Sequence, residues 1–305
     1  NIKCWRLRTD AYDPDAPYGH DGRWRWLLYD TEMGFDGDPR VIPGGGIDHF
    51  TLRDAINNPS DYRPTSILLS ELITNVTFRK AFVSRFADLL NTVFRPEWVV
   101  PRIDELQAII APEIAEHIAR WSEQESVGAW EQEVETMRSF ARERPSAQWQ
   151  HLVSYFNGKP LPLTVNVSDP LRGVVKVNSV LVDAETPGVV SDTNGSVYPW
   201  TGNYLSSIPV TLVAQPKPGY HFAGWAGLEG TIAEAHADDD SVVVMILGDF
   251  TVTAVFTDAA SVESKDRPFR YALSRNVPNP FNPTTRFQFS LASDGLVQIA
   301  VYDVT

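Results

Sequence analysis

The chain has 305 residues, of which 43% are hydrophobic and 21% charged, a composition that fits two or three globular domains and excludes wholesale disorder. Its net charge of −13 divides as −7 over residues 1–150, −7 over 151–258 and +1 over 259–305, so an acidic surface argues against nucleic-acid binding and favours cations as partners. One cysteine, Cys4, leaves no disulfide framework or thiolate metal site, and no apolar run approaches the roughly 20 residues of a transmembrane segment.

The first residues, "NIKCWRLR", read as a strand in mid-domain, without initiator Met or signal peptide, so the chain is expected to be a fragment. A loop rich in Asp, Pro and Gly follows, then a second strand, "RWRWLLYD", with Trp24, Trp26 and Leu28 on one face. That strand runs into a turn carrying Asp30, Glu32, Asp36 and Asp38, with Gly34 allowing the chain to bend. Such a turn is either a solvated loop or a cation site beside something negatively charged. A few oxygen ligands together with nucleotide phosphates suit Mg²⁺. The "GGG" at 44–46 lacks the Lys-Ser/Thr of a phosphate loop and reads as a flexible segment.

Helices come next. Phe78, Phe82, Phe86 and Leu89 recur at three- and four-residue steps, and further helices are expected around residues 104–121 and 128–144. Strands followed by helices suggest an α+β unit whose core lies against one sheet. His117 is expected at the surface or in packing, and Cys4 as a small core residue. From residue 158 the pattern changes to short β runs: "LTVNVS", "GVVKVN", "VTLVAQP", "SVVVMIL" and "FTVTAVF". The acidic stretches 192–195 and 238–240 read as solvated turns, since neither follows a calcium-loop pattern. A linker over 259–272 precedes two more strands joined by Asp294-Gly295.

Three resemblances attach to these textures. "NIKCWRLR" with "DGRWRWLLYDTEMGF", and the helical stretch from "TFRKAFVSRFADLLNTVF" to "HIARW", resemble the spore-coat CotH-type kinase family, atypical kinases that transfer phosphoryl from ATP to protein. The resemblance implies that Asp30 plays the part of the DFG aspartate, catalytic and holding Mg²⁺ against the phosphates. It makes Asn1 the second metal- and nucleotide-holding position, and Glu32 an additional, longer oxygen ligand. The catalytic-loop aspartate is expected about five residues before Asn1. Because that aspartate and the lysine-bearing lobe are not in this sequence, the chain alone is expected to be inactive.

"IPVTLVAQPKPGYHFAGWAG" resembles the divergent internalin-type B-repeat, with Gly219 and Gly224 expected in turns and Tyr220, Phe222 and Trp225 filling a small core. That module implies spacing or adhesion. "NVPNPFNPTTRFQFSL" with "VYDV" resembles the type A C-terminal sorting domain of type IX secretion, cut short at Thr305. It implies the type IX machinery as partner and a secreted or surface-attached location.

The expected fold is therefore multidomain: an α+β kinase-like C-terminal portion at 1–157, an all-β B-repeat-like domain at 158–258, a linker at 259–272 and a truncated sorting domain at 273–305. The expected parent is a protein kinase using Mg²⁺ and ATP on an unidentified protein. The alternative is a non-catalytic surface or adhesion protein with a kinase-like scaffold.

Overall fold

Two periodicities, one of three to four residues and one of two, divide the folded chain. The computed structural model describes residues 2–9, 11–13, 15–28, 34–35, 46–57, 64–122, 125–228, 232–233, 239–258, 272–273, 286 and 289–290. The chain forms two compact units, Asn1–Thr257 and Asp258–Thr305. The larger is helical in its N-terminal part and β-rich thereafter, consistent with a multidomain chain.

A hairpin of β1 (Ile2–Trp5) and β2 (Arg25–Leu28) precedes five helices: α1 (Thr51–Asn57), α2 (Pro64–Thr74), α3 (Val76–Leu90), α4 (Pro96–Trp121) and α5 (Val127–Phe156). Helix α3 begins at Asn75, whose side chain accepts from the Phe78 N–H and satisfies one of the free donors of the first turn. Phe78, Phe82 and Phe86 succeed one another along it with ring centroids 6.2 and 6.0 Å apart. Beside them Val83 and Leu90 are buried with Leu52, Ile56, Ile73 and Leu152 from the neighbouring helices. Helices α4 and α5 pack through Ile103, Val134 and Ala141, and Arg138 reaches across to Asp104 at 2.7 Å.

Among the described residues the helical cores draw no side chain from this hairpin, where the sequence suggests a core against one sheet. Its Trp24 and Leu27 are 61% and 49% exposed, and Cys4, expected in a core, is exposed as well. Two four-residue strands offer too small a face to close a helical core.

Each of the five β runs read from the sequence forms a strand. Among the described residues of this region the strands are β3 (Pro160–Val167), β4 (Gly173–Val177), β5 (Val180–Leu181), β6 (Trp200–Leu205), β7 (Val210–Pro216), β8 (Tyr220–Ala226), β9 (Ile232–Ala233), β10 (Ser241–Met245) and β11 (Phe250–Asp258). They make two sheets, ordered β5-β4-β7-β10-β9 and β6-β3-β11-β8. The first and last long strands, β3 and β11, lie side by side and parallel, with Leu163 opposite Phe250. Inward residues alternate along each strand (Val175 and Val177, Val210 and Leu212, Val242 and Val244) and meet Trp200, Trp225 and Phe256 in one shared core. Trp225 is buried and Phe222 packs against it at 5.3 Å, as expected, but Gly224 lies inside β8 rather than in a turn.

The two halves of this unit are joined through the C-terminal end of α3. Asp88 is 0% exposed. Its Oδ2 accepts from the backbone N–H and hydroxyl of Ser179, at 3.0 and 2.5 Å, and its Oδ1 accepts from the Tyr204 hydroxyl at 3.0 Å. One turn on, the Asn91 amide imitates a strand. Its Nδ2 donates to the Asn203 carbonyl at 2.7 Å and its Oδ1 accepts from the Asn203 N–H at 2.8 Å. Gly188, at φ +81°, runs so close that a Cβ there would sit 2.3 Å from the Thr92 carbonyl carbon. The apolar groups also cross over, since Ala87 belongs to the sandwich core while Leu205 and Ile208 belong to the helical one.

In the smaller unit β12 (Ala272–Leu273) pairs antiparallel with β13 (Phe289–Ser290), Leu273 standing opposite Phe289. The Asp294-Gly295 hairpin lies outside the described residues.

Asp88→Ala should destabilise the larger unit by about 3 kcal/mol, because it strands buried donors on Ser179 and Tyr204. Asp88→Asn, which keeps the volume and part of the acceptor capacity, should cost less. Urea denaturation followed by tryptophan fluorescence measures both. A loss below about 0.5 kcal/mol for the alanine variant would show that the carboxylate is not the joint.

Candidate functional site

The strand that leads to the acidic turn is anchored by an acid that sequence reasoning passed over. Asp21 is 2% exposed and accepts from Arg25 Nη1 and Nη2 at 2.7 and 2.9 Å, a bidentate pair. Arg23 Nε donates to the same carboxylate at 2.6 Å. The guanidinium of Arg25, and after it that of Arg23, holds the Asp21 carboxyl far below the usual carboxylate range. Asp21 in turn raises Arg25. The Arg25 guanidinium also lies 4.5 Å from the ring centroid of Tyr18 and 5.8 Å from that of Trp5. Local spacing could have signalled this lock, because an acid four residues before an arginine at a strand's start can fold back on it.

Strands β1 and β2 are antiparallel, with Ile2 opposite Leu28 and Trp5 opposite Arg25. The start of β1 and the end of β2 are therefore neighbours. Asn1 immediately precedes the first of these and Asp30 follows the second by two residues. Asn1, Asp30 and Glu32 themselves, with Asp36 and Asp38, lie outside the described residues.

Within the turn, Gly34 and Phe35 are described. Phe35 adopts φ +53°, unusual for a bulky side chain, and its ring sits 5.7 Å from that of Phe140 on α5. Gly46, last of the glycine triplet, precedes a segment held to α5 by Arg144, which donates to the Ile47 carbonyl and, at 3.2 Å, to Thr51 Oγ1. His151, one of the residues beneath this segment, is buried and stacked on Phe50 at 4.1 Å. Burial and the nearby Arg144 push its pKa down.

Elsewhere the described residues hold no cluster of three or more His, Cys, Asp or Glu suited to a metal. The Asp192 carboxylate is taken up by the backbone N–H groups of Asn194 and Ser196, at 2.9 and 2.8 Å, which makes 192–196 a self-closed turn. His117 is exposed. No helix among the described residues is long and apolar enough to cross a membrane.

Residues 3–147 match the family model described as CotH kinase protein, which covers the hairpin, the acidic turn and the helices to the middle of α5. Residues 186–260 match the divergent InlB B-repeat domain. The first match points to an atypical kinase or a kinase-like protein. No curated protein and no solved structure matches the chain. Strands β3 to β5 precede the B-repeat match, yet β3 lies between β6 and β11 at the centre of its sheet.

Asp21→Asn should loosen the hairpin while leaving the sandwich intact. The folded Asp21 pKa is depressed, so its contribution is present above the ordinary value of 3.8 and is lost as pH falls through the lower folded one. Hydrogen exchange at Cys4 to Arg6 and Arg25 to Leu27 should be accelerated by the substitution near neutral pH, and in the unsubstituted protein only in strong acid. Unchanged protection in the variant would remove Asp21 from the anchoring role.

Proposed function

We propose that residues 1–157 are the C-terminal portion of a CotH-type kinase domain, and that the protein bearing them transfers phosphoryl groups from Mg²⁺-ATP to protein. One observation carries this reading. The antiparallel ladder makes neighbours of the strand ends next to Asn1 and Asp30, the two residues that the family resemblance assigns to the metal. The CotH kinase match over 3–147 supports it. Asn1, Asp30 and Glu32 offer oxygen donors alone, the set that Mg²⁺ prefers. Held by these residues, Mg²⁺ would supply positive charge against the phosphates of ATP. On this reading Asp30 is the principal metal ligand, Asn1 the second, and Glu32 an auxiliary one. The Asp21–Arg25 lock holds the strand from which Asp30 extends.

The same reading makes the protein an exported bacterial surface protein. The B-repeat match supports a surface setting, and the tail from Leu273 is read as a sorting domain recognised by the type IX secretion machinery. Pairing of Leu273 with Phe289 brackets the proline run Pro278, Pro280 and Pro283, consistent with a small folded tail.

In an active protein carrying this chain, Asp30→Asn should lower transfer of label from ATP by about a thousandfold or more, since it removes metal charge without removing core volume. Asp38→Asn should leave transfer nearly unchanged. Equal losses would mean a diffuse acidic patch and would defeat the assignment to Asp30. In a host with type IX secretion, removal of residues 269–305 should leave the protein in the periplasm with its larger unit folded. Its continued appearance outside the cell, detected by immunoblot of fractions, would show that the tail is not a sorting signal.

A further inference from the structure

Residues 47–57 lie along the second half of α5 and are fastened to it at three places, none of which the proposed kinase reading uses. At one end Arg144 donates to the Ile47 carbonyl and to Thr51 Oγ1. At the other the Tyr155 hydroxyl donates to Asn57 Oδ1 at 2.7 Å. Between them the His151 imidazole stacks on Phe50, the ring centroids 4.1 Å apart and the planes inclined by 11°. Through this strap Leu52 and Ile56 join Leu152 in the helical core.

The middle fastening depends on an imidazole whose surroundings favour the neutral ring. His151 is 9% exposed, and its Nδ1 is buried without a hydrogen-bond partner. Protonation makes both ring nitrogens donors, so Nδ1 would become a buried cationic donor with nothing to receive its proton. Burial, and after it the Arg144 guanidinium, hold the ring below the usual value of 6.5, and Arg53 acts in the same direction. Asp48 opposes them through its backbone and its charge. The strap's other charged groups satisfy one another, since Asp54 meets His49 at 3.2 Å and Arg53 at 3.4 Å. Tyr155, one turn further along α5, has its pKa raised by burial and stays uncharged. The face of Phe50 would attract an imidazolium, yet Arg53 already lies 5.2 Å from its centroid.

We propose that His151 makes this strap a pH-sensitive clasp, closed while the ring is neutral and released from α5 when the ring takes up a proton. Once the strap has lifted, water hydrates the imidazolium and supplies the acceptor that Nδ1 lacks in the closed form. Closure is therefore fully favoured above pH 6.5 and is lost as pH falls through the lower value of the buried ring. Release withdraws Leu52 and Ile56 from the helical core. The clasp needs neither metal nor nucleotide and does not depend on the kinase reading.

Hydrogen exchange of the whole chain, read by mass spectrometry and corrected for intrinsic rates, tests the clasp. Between about pH 7.5 and about pH 5, protection of residues 51–57 should fall by about fivefold or more, while that of β3, β4 and β7 holds. His151→Phe keeps a ring against Phe50 but takes no proton, so in this variant the fall should disappear. His49→Gln removes the strap's other titrating histidine and should leave the fall in place. A proton NMR titration of the unsubstituted chain gives a reading that needs no variant, with the His151 ring expected to titrate below 6.5. Equal protection of the strap at both pH values overturns the proposal, as does a fall that survives in a folded His151→Phe chain. A fall abolished by His49→Gln, or a His151 ring titrating at 6.5 or above, would overturn it as well.

Discussion

A carboxylate with no exposure must find donors inside the protein, and those of Asp88 come from the β-rich half: Ser179, Tyr204 and, at 3.4 Å, Asn178. Without that carboxylate the Tyr204 hydroxyl and the Ser179 backbone N–H would be left inside the closed interface without their partner, which is costly for each. Burial beside Asp88 also raises the pKa of Tyr204 well above its ordinary value, so the hydroxyl stays a donor at any physiological pH. The Asn91 amide on the edge of β6 and the bare approach of Gly188 to Thr92 make the same contact specific in position. Trp149 of α5 packs against both cores. The sandwich is therefore a buttress for the helices.

That buttress sets what stands on the other side of α3. Phe82 and Phe86 pack against the helical core, and Phe140 of α5 receives Phe35 from within the acidic turn. The turn is thus approached from two directions. The Asp21–Arg25 pair fixes the strand before it, and within it Phe35 rests against Phe140 of α5.

What was legible in the sequence follows from periodicity. The short, valine-rich runs "GVVKVN" and "SVVVMIL" are too brief and too β-branched for a helix and form strands, while the stripe of Phe78, Phe82 and Phe86 forms a helix face. Strand β6 was not read, because "WTGNYL" carries its glycine and asparagine for a tertiary reason. Gly202 leaves room for the Trp200 ring and Asn91, and Asn203 lends its backbone to Asn91. Asp88 was invisible for the same reason, since an acid on an amphipathic helix looks like a solvated position until its partners, some ninety residues away, are known. The small face of the hairpin was missed because two tryptophans in a strand suggest a core, whereas Trp24 stays outside with Arg6 over its ring at 5.1 Å. Of the candidate site, the chain order and the two strands were legible, while Asp21 as their anchor was not.

Native-state hydrogen exchange on the unsubstituted chain tests most directly whether helices and sandwich form one cooperative body. Amides of α3, from Val83 to Leu90, and those of β3 and β6 should open with the same free energy and the same dependence on denaturant, as parts of one unit do. Exchange of α3 through a separate, lower-energy opening while β3 and β6 remain protected would contradict the account.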